Sequence, residues 1–437
     1  MRFHSTRSDF STDVTGAIMA GLAPDGGLLI PERLPRLDLA SLEGLNSPAE
    51  LGPVVLAPFF AGSSLTDQLG AICQDALNFP MPVRAVAGED GLFVLELFHG
   101  PTAAFKDVGA RFLAASMERI LAAEAEDPRG PLVILVATSG DTGGAVAAAF
   151  HRREGIRVVV LFPKGQVSQR QQHQLTCWGD NVVSLAVEGS FDACQAMVKA
   201  AFTDKALGAQ VRLSSANSIN VGRLMPQTLY YASAALTHFR DTGRRPNFIV
   251  PTGNLGNALA CHWARAMGLP IGEIILATNA NRTIPDFLVT GDWQPRASVT
   301  TLASAMDVGD PSNMERLNTL YSTFDELRGA VFAYPVEDQE ILAQIKADYD
   351  QRGQIWCPHT ATAAWTYAHL PPSQRQGDWI LVATAHAAKF EDTVEPAIGA
   401  TIPVPEALRA ILDLPSAFDT VQATPEALTK VIIKTVE

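Results

Sequence analysis

With 47% hydrophobic and 18% charged residues over 437 positions, the chain has the balance of two or three packed domains and not that of a disordered protein. A formal net charge of -13 argues against nucleic acid as a partner, because a phosphate backbone calls for a basic face. Five cysteines (Cys73, Cys177, Cys194, Cys261 and Cys357) form no CxxC pair and there is no clustering of histidines, which points away from a disulfide framework or a metal site and towards a reducing, cytoplasmic setting.

In chain order, the first residues, MRFHSTRSDF, carry no basic segment followed by a long apolar run, and no later run is long enough to span a bilayer, so no membrane partner is expected. Residues 1–90 are punctuated by Pro and Gly, as in GLAPDGGLLIPERLPRL from Gly21 to Leu37, and read as an N-terminal subdomain. From Leu92 the pattern becomes apolar strand, glycine-bearing turn, then helix, the mark of an α/β fold with parallel strands. The expected division is 91–225 for a smaller α/β domain and 226–437 for a larger one, interleaved and not beaded. Strands are predicted at Leu132–Val136, Val158–Phe162, Phe248–Val250 and, as the last of the chain, Trp379–Ala383, with helical material closing the sequence. Residues of about 280–335 lose strand character and read as an insertion in the larger domain.

Chemistry gathers where strands give way to turns, since ligands of parallel sheets collect at the carboxyl ends of strands. HGPTAAFKD, from His99 to Asp107, puts Lys106 among Ala103, Ala104 and Phe105. An ammonium short of water has a lowered pKa and a nucleophilic amine, able to hold a carbonyl cofactor as a Schiff base; the alternative is a lysine snorkelling from the start of a helix through Arg111 to Arg119. Gly253, Asn254, Leu255, Gly256 and Asn257 make a strand-to-helix loop whose N–H groups suit a phosphate, without GxGxxG or Walker spacing; otherwise it is a tight turn. Ser139, Gly140, Asp141, Thr142 and Gly143 form an equivalent loop suited to a carboxylate, unless Asp141 or Thr142 is merely a helix cap. Asn217, Ser218 and Asn220 precede Arg223 and together make a second anion site or a polar turn with a solvated arginine. Thr384, at the end of the last predicted strand, can bond a heteroaromatic nitrogen, and His386 is read as structural.

GLAPDGGLLIP, HGPTAAFKD, ATSGDTG, CWGDNV with GSFDACQAMVKAAF, SANSINVGRLMPQ, PTGNLGN, ATNANRTIPDFL, AMDV and ATAHAAKF together resemble, in order, segments of the threonine synthases, pyridoxal 5'-phosphate enzymes of fold type II. The resemblance runs from Ser5 to Phe390, and the N-terminal extension and insertion resemble the long form of bacteria and fungi. It implies a tryptophan synthase beta-like fold of two open-sheet domains with an N-terminal subdomain. It also implies that Lys106 binds the cofactor aldehyde, that Gly253–Asn257 holds its phosphate and that Thr384 faces its pyridine nitrogen. Ser139–Gly143 would hold the substrate carboxylate, and Ser218 with Arg223, near Asn217 and Asn220, the substrate phosphate. Leu255 stands where phenylalanine is frequent, Ala387 where proline is, and Asp141 where many other fold type II enzymes have asparagine; an anionic Asp141 would repel a substrate carboxylate unless it points away.

The reaction implied is conversion of O-phospho-L-homoserine and water to L-threonine and phosphate, with Lys106 as base, no metal, and a monomer or homodimer as the acting species. Serine or threonine dehydration, or lysis of another phosphorylated amino alcohol, would use the same cofactor, and dehydration would not need the clamp at Ser218 and Arg223.

Overall fold

Three sheets organise the computed structural model, which describes residues 1–138 and 140–436. Near the N-terminus, β1 (Phe3–Ser5), β2 (Ser11–Thr12) and β3 (Leu29–Pro31) pair antiparallel in the order β2-β1-β3. The helix Pro48–Val55 that follows them in the chain starts with a capping box, Ser47 and Glu50 each satisfying the other's backbone N–H, and Pro48 occupies the first turn, where no donor is needed.

The larger sheet contains β4 (Val83–Ala85), β5 (Leu92–Glu96), β10 (Asn247–Pro251), β11 (Ile274–Thr278), β12 (Phe332–Pro335) and β13 (Trp379–Ala383) in the order β12-β11-β10-β13-β5-β4. Only the β4–β5 pair is antiparallel. The smaller sheet is parallel throughout, with β6 (Leu132–Ala137), β7 (Ile156–Pro163), β8 (Val182–Glu188), β9 (Arg212–Ser215) and β14 (Asp419–Gln422) in the order β14-β8-β7-β6-β9. All six residues of β6 are buried, which is why the segment is aliphatic without alternation: helices cover both faces. On one face Cys194 and Met197 of helix Phe191–Thr203 and Leu428 and Ile432 of helix Pro425–Val436 pack over Val133, Leu135, Val159 and Leu161.

Two expectations need correcting. The division at residues 225 and 226 does not follow the sheets, because β5 pairs with β13 in the larger sheet while β14 returns to the smaller one beside β8. Nor is Trp379–Ala383 the last strand: β14 follows it, but DTVQ is a mostly exposed edge strand with one apolar residue, so it has no hydrophobic periodicity to read. Between β11 and β12 no strand forms among the described residues, and short helices (Thr283–Thr290, Met314–Asn318, Phe324–Ala330) fill the expected insertion.

Helix Lys106–Ala123 links the parts, packing on helix Asp141–Phe150 and on helix Leu69–Ala76. It is alanine-rich and free of proline, and its Gly109 is required by a close approach: a Cβ there would lie 2.6 Å from the carbonyl oxygen of Arg223. That approach sets Arg223 beside the turn carrying Lys106.

Candidate active site

Lys106 opens its helix directly after a turn laid against the end of β13. Phe105 N donates to Thr384 O at 2.8 Å, His386 N to Ala103 O at 3.0 Å, and Ala104 and Ala385 form an antiparallel bridge. Ala103 takes φ 54°, a left-handed conformation that reverses the chain just ahead of the lysine. The buried Asp107 carboxylate fixes the turn by accepting from Thr102 N at 2.8 Å and Thr102 Oγ1 at 2.7 Å. Burial brings the Lys106 ammonium down to about 8, opposed by the charge of Asp141 and reinforced by Arg223 and Lys389. Its position in the first helical turn, at the positive end of the helix dipole, works in the same direction. An amine lowered in this way has the character of a nucleophile and a base, although the residue as a whole is only half-buried.

After β6 the segment that ends at Gly144 joins a turn at Thr138 and Gly140 to the first turn of the helix Asp141–Phe150; Ser139, expected to help hold a carboxylate, lies outside the described residues. Thr138 Oγ1 accepts from Gly140 N at 3.0 Å and Gly143 N at 2.9 Å, which holds the loop in its curled form. Gly140 has φ 142°, and a Cβ there would meet the Gln171 side chain at 2.6 Å. The N-cap of the helix Asp141–Phe150 is Gly140, so neither Asp141 nor Thr142 has that role. Asp141 is buried and turned onto Lys389, whose Nζ lies 2.9 Å from its Oδ1, and Gln171 Nε2 donates to the same oxygen at 3.2 Å. Burial opposes ionisation, but the charges of Lys389 and, after it, Lys106 overcome that cost and hold the Asp141 carboxyl well below the usual carboxylate range. Its side-chain oxygen Oδ1 is therefore committed to protein groups, whereas Thr142 is half-buried.

In the loop after β10, Leu255 takes φ 63° and opens the helix Gly256–Ala266. Gly253 is crowded, since a Cβ would lie 2.7 Å from Met306 Cα and O, whereas a Cβ on Gly256 would meet Ser218 Cβ only at 3.6 Å. Asn254 Nδ2 donates to Ser218 Oγ at 2.8 Å, and its Oδ1 accepts from Ser312 N at 2.7 Å. Asn257 Oδ1 accepts from the hydroxyls of Tyr230 and Tyr231 at 2.5 and 2.8 Å, so this side chain locks the helix start to the core.

The segment after β9 separates into two kinds of residue. Asn220 Nδ2 donates to Ile18 O and Ser215 O, and its Oδ1 caps Gly222 N, so this side chain, expected to contact substrate, already has protein partners for its polar atoms. Arg223, by contrast, is only 3% exposed and forms no ion pair among the described residues. Its Nη1 donates to Ala216 O at 2.5 Å, its Nε has no partner, and burial lowers the guanidinium to about 10. It is thus not a solvated arginine. Asn217 Nδ2 reaches Ala137 O at 3.3 Å while its Oδ1 is buried without a partner among the described residues.

Thr384 is buried, its N donates to Thr360 Oγ1 at 3.3 Å, and its own Oγ1 has no partner. An orphaned hydroxyl one bridge away from Lys106 fits a cofactor that presents a ring nitrogen, and the Gly253–Leu255 turn that opens the helix Gly256–Ala266 fits a phosphate. His386 Nδ1 accepts from Ala388 N at 3.1 Å and caps the short turn Ala387–Phe390.

Sequence reasoning passed over three buried groups. Lys389, in AAKF, has the same apolar neighbours that drew attention to Lys106 in AAFK; only its partners distinguish them. His359 Nε2 accepts from Ala305 N at 3.0 Å and its Nδ1 has no partner, with burial lowering the imidazole to about 4. Arg316 is fully buried and spreads its donors over Leu29 O, Ser218 O, Ile219 O and Asn313 Oδ1. No group of three or more potential metal ligands is present among the described residues, and none of their helices is long and apolar enough to cross a membrane.

Comparison with known proteins identifies the family of the chain. The family described as "Pyridoxal-phosphate dependent enzyme" matches residues 78–385, "Threonine synthase N terminus" matches residues 2–77, and "Threonine synthase, C-terminal" matches residues 360–432. The threonine synthase of Escherichia coli is 36% identical over 440 residues, covering 99% of this chain and 98% of its own, and that of Serratia marcescens is 37% identical over 424 residues, covering 95% of each. Among solved structures, the Escherichia coli threonine synthase superposes with a TM-score of 0.90 at 34% identity over 99% of this chain and 100% of its own. A PLP-bound threonine synthase from Brucella melitensis gives 0.89 at 32% identity over 100% of both.

Proposed function

The chain belongs to the threonine synthase family of pyridoxal 5'-phosphate-dependent lyases, and from that premise we propose how its residues divide the conversion of O-phospho-L-homoserine and water to L-threonine and phosphate. Lys106 holds the cofactor through its amine, Thr384 Oγ1 donates to the ring nitrogen, and the backbone N–H groups of Gly253–Asn257 receive the cofactor phosphate at the start of helix Gly256–Ala266. When bound, the cofactor supplies a sink for the charge that develops as the substrate loses its Cα proton.

Everything else falls to the protein. With the substrate amine in place, Lys106 accepts the Cα proton and, once relieved of it, a Cβ proton, so that the Cβ–H electron pair expels phosphate from Cγ; a lysine poised near 8 is suited both to take these protons and to return them at Cγ and Cα. The backbone and Thr142 of the loop Ser139–Gly143 orient the substrate carboxylate, with the Asp141 side chain withdrawn onto Lys389. Ser218 and Arg223, with Asn217 beside them, hold the substrate phosphate as it departs from Cγ, leaving Cβ open to water. The neutral hydroxyl of Thr384 does not keep a proton on the ring nitrogen as a carboxylate would, which disfavours transamination.

What supports this reading is one lysine lowered by burial together with a glycine turn that opens a helix and a buried arginine whose Nε is left without a partner among the described residues: the turn would take one phosphate and Arg223 the other. We place the reaction in the cytoplasm, where the five free cysteines stay reduced, and assign it to a monomer or homodimer. The test is phosphate release from O-phospho-L-homoserine with threonine identified as the co-product. Dehydration of serine or threonine at comparable kcat/KM would refute it.

A further inference from the structure

We propose that Lys389 is a positioning residue for the substrate carboxylate: its ammonium cancels the charge of Asp141 and ties the Thr138–Gly144 loop to the turn that carries Lys106. The inference rests on the reading that this loop receives that carboxylate. A second carboxylate, Asp141, stands at the start of the helix Asp141–Phe150 that the loop opens. Two like charges a few ångströms apart and out of water repel strongly. The charge on Asp141 is answered by Lys389, whose side chain is 1% exposed against 4% for the aspartate, at 2.9 Å.

Lys389 does this across the fold. It follows β13 of the larger sheet, whereas Asp141 follows β6 of the smaller one. A second Lys389 bond, from Nζ to Thr102 O at 2.8 Å, reaches the residue whose N and Oγ1 hold Asp107, the neighbour of Lys106. Gln174 Nε2 donates to the same carbonyl at 3.1 Å. The backbone of the Ala387–Phe390 turn is itself clasped by helix Gln169–Thr176, with Arg170 donating to Ala388 O and, through Nε, pairing with Glu391 at 2.9 Å. One ammonium thus sets three things together: the lysine turn, the carboxylate loop and the seam between the sheets. Stability alone does not call for an ion pair here, because apolar residues of similar volume fill such a space as well or better.

The test compares holoenzyme of the wild type with Lys389→Met, Asp141→Asn and the double variant. The probes are L-2-aminobutyrate and its primary amide, and their binding is read from the visible absorption of the bound cofactor. The wild type should prefer the acid. Lys389→Met should weaken the acid by on the order of tenfold or more while leaving the amide within about twofold, as expected when a buried charge loses its partner beside a charged ligand. Asp141→Asn should not weaken the acid, and the double variant, neutral again, should recover most of the loss. A merely structural pair would instead lose acid and amide alike in both single variants. That outcome, or no recovery in the double variant, would overturn the proposal while leaving the loop's role intact. A wild type indifferent to acid and amide would remove the loop's role, and the proposal with it. Should Lys389→Met fail to fold, the double variant decides alone: it must keep the preference for the acid, and losing it overturns the proposal.

Discussion

Replacing Arg223 by methionine should raise the stability of the apo-protein while destroying its use of phosphorylated substrate. A guanidinium lowered from 12.5 to about 10 is charged at neutral pH in a place that disfavours the charge, a cost of roughly 3 kcal/mol at about 1.4 kcal/mol per pH unit. Methionine relieves that cost but leaves Ala216 O without the donor it now has at 2.5 Å, a loss of about 1 kcal/mol. The net expectation is a gain of about 1–2 kcal/mol, measured by denaturant unfolding of the apo-protein. Against this stands the loss of a charge-assisted contact to the substrate phosphate, typically about 1.5–3 kcal/mol, which lowers kcat/KM for O-phospho-L-homoserine by roughly one to two decades or more. Arg223→Lys, which keeps a charge without the planar fork, should fall between the two in activity and remain yellow. Binding of unphosphorylated L-homoserine should be indifferent to both changes. The reasoning is refuted if the methionine variant is less stable than the wild type and its turnover falls only as its folded fraction does. It is refuted equally if cofactor is lost while turnover per bound cofactor is unchanged.

Three other predictions follow from the geometry. Borohydride treatment of the holoenzyme should fix the cofactor to Lys106 alone, as read by peptide mapping, and Lys106→Ala should abolish both the label and turnover; a label on Lys389 would overturn the assignment. Gly253→Ala, with Met306 backbone 2.7 Å from the new Cβ, should destabilise the apo-protein by about 1–3 kcal/mol, whereas Gly256→Ala should fold normally and show only a cofactor defect in a binding titration. In the apo-protein, the reactivity of Lys106 towards an amine reagent should rise through about pH 8, some two pH units below a free lysine. Because this folded-state value lies below the unfolded one, the unfolded chain binds the extra proton between about 8 and 10.5, so the contribution of Lys106 to stability increases with pH across that window and is least below it.

Much of this was legible in the sequence where local chemistry and position coincide. Continuous aliphatic runs ending in glycine-bearing turns fix β6, β10 and β13, and with them the loops at Thr138, Thr252 and Thr384. What a sequence does not carry is which polar atoms are already taken. Asn217 and Asn220 look alike three positions apart, yet one has a buried oxygen left over and the other has none. Lys106 and Lys389 share their apolar neighbours, and Asp141 falls beside the second of them through a contact between residues far apart in the chain. Arg316 and His359 lay hidden for the same reason: each gets its meaning from carbonyls and amides supplied by distant loops.

The return of β14 to the smaller sheet has a consequence for how the protein is made. Val133, Leu135, Val159 and Leu161 are translated early, but Leu428 and Ile432, which help to cover them, emerge only after the whole of the larger sheet. Until then β8 presents an open edge with Leu185 and Val187 on it, a template for pairing with other chains. Closing that edge requires a very long loop, so it belongs among the late and slow events of folding. A nascent chain halted before Asp419 would therefore have its candidate catalytic loops in place and yet be the form most exposed to aggregation and to chaperones.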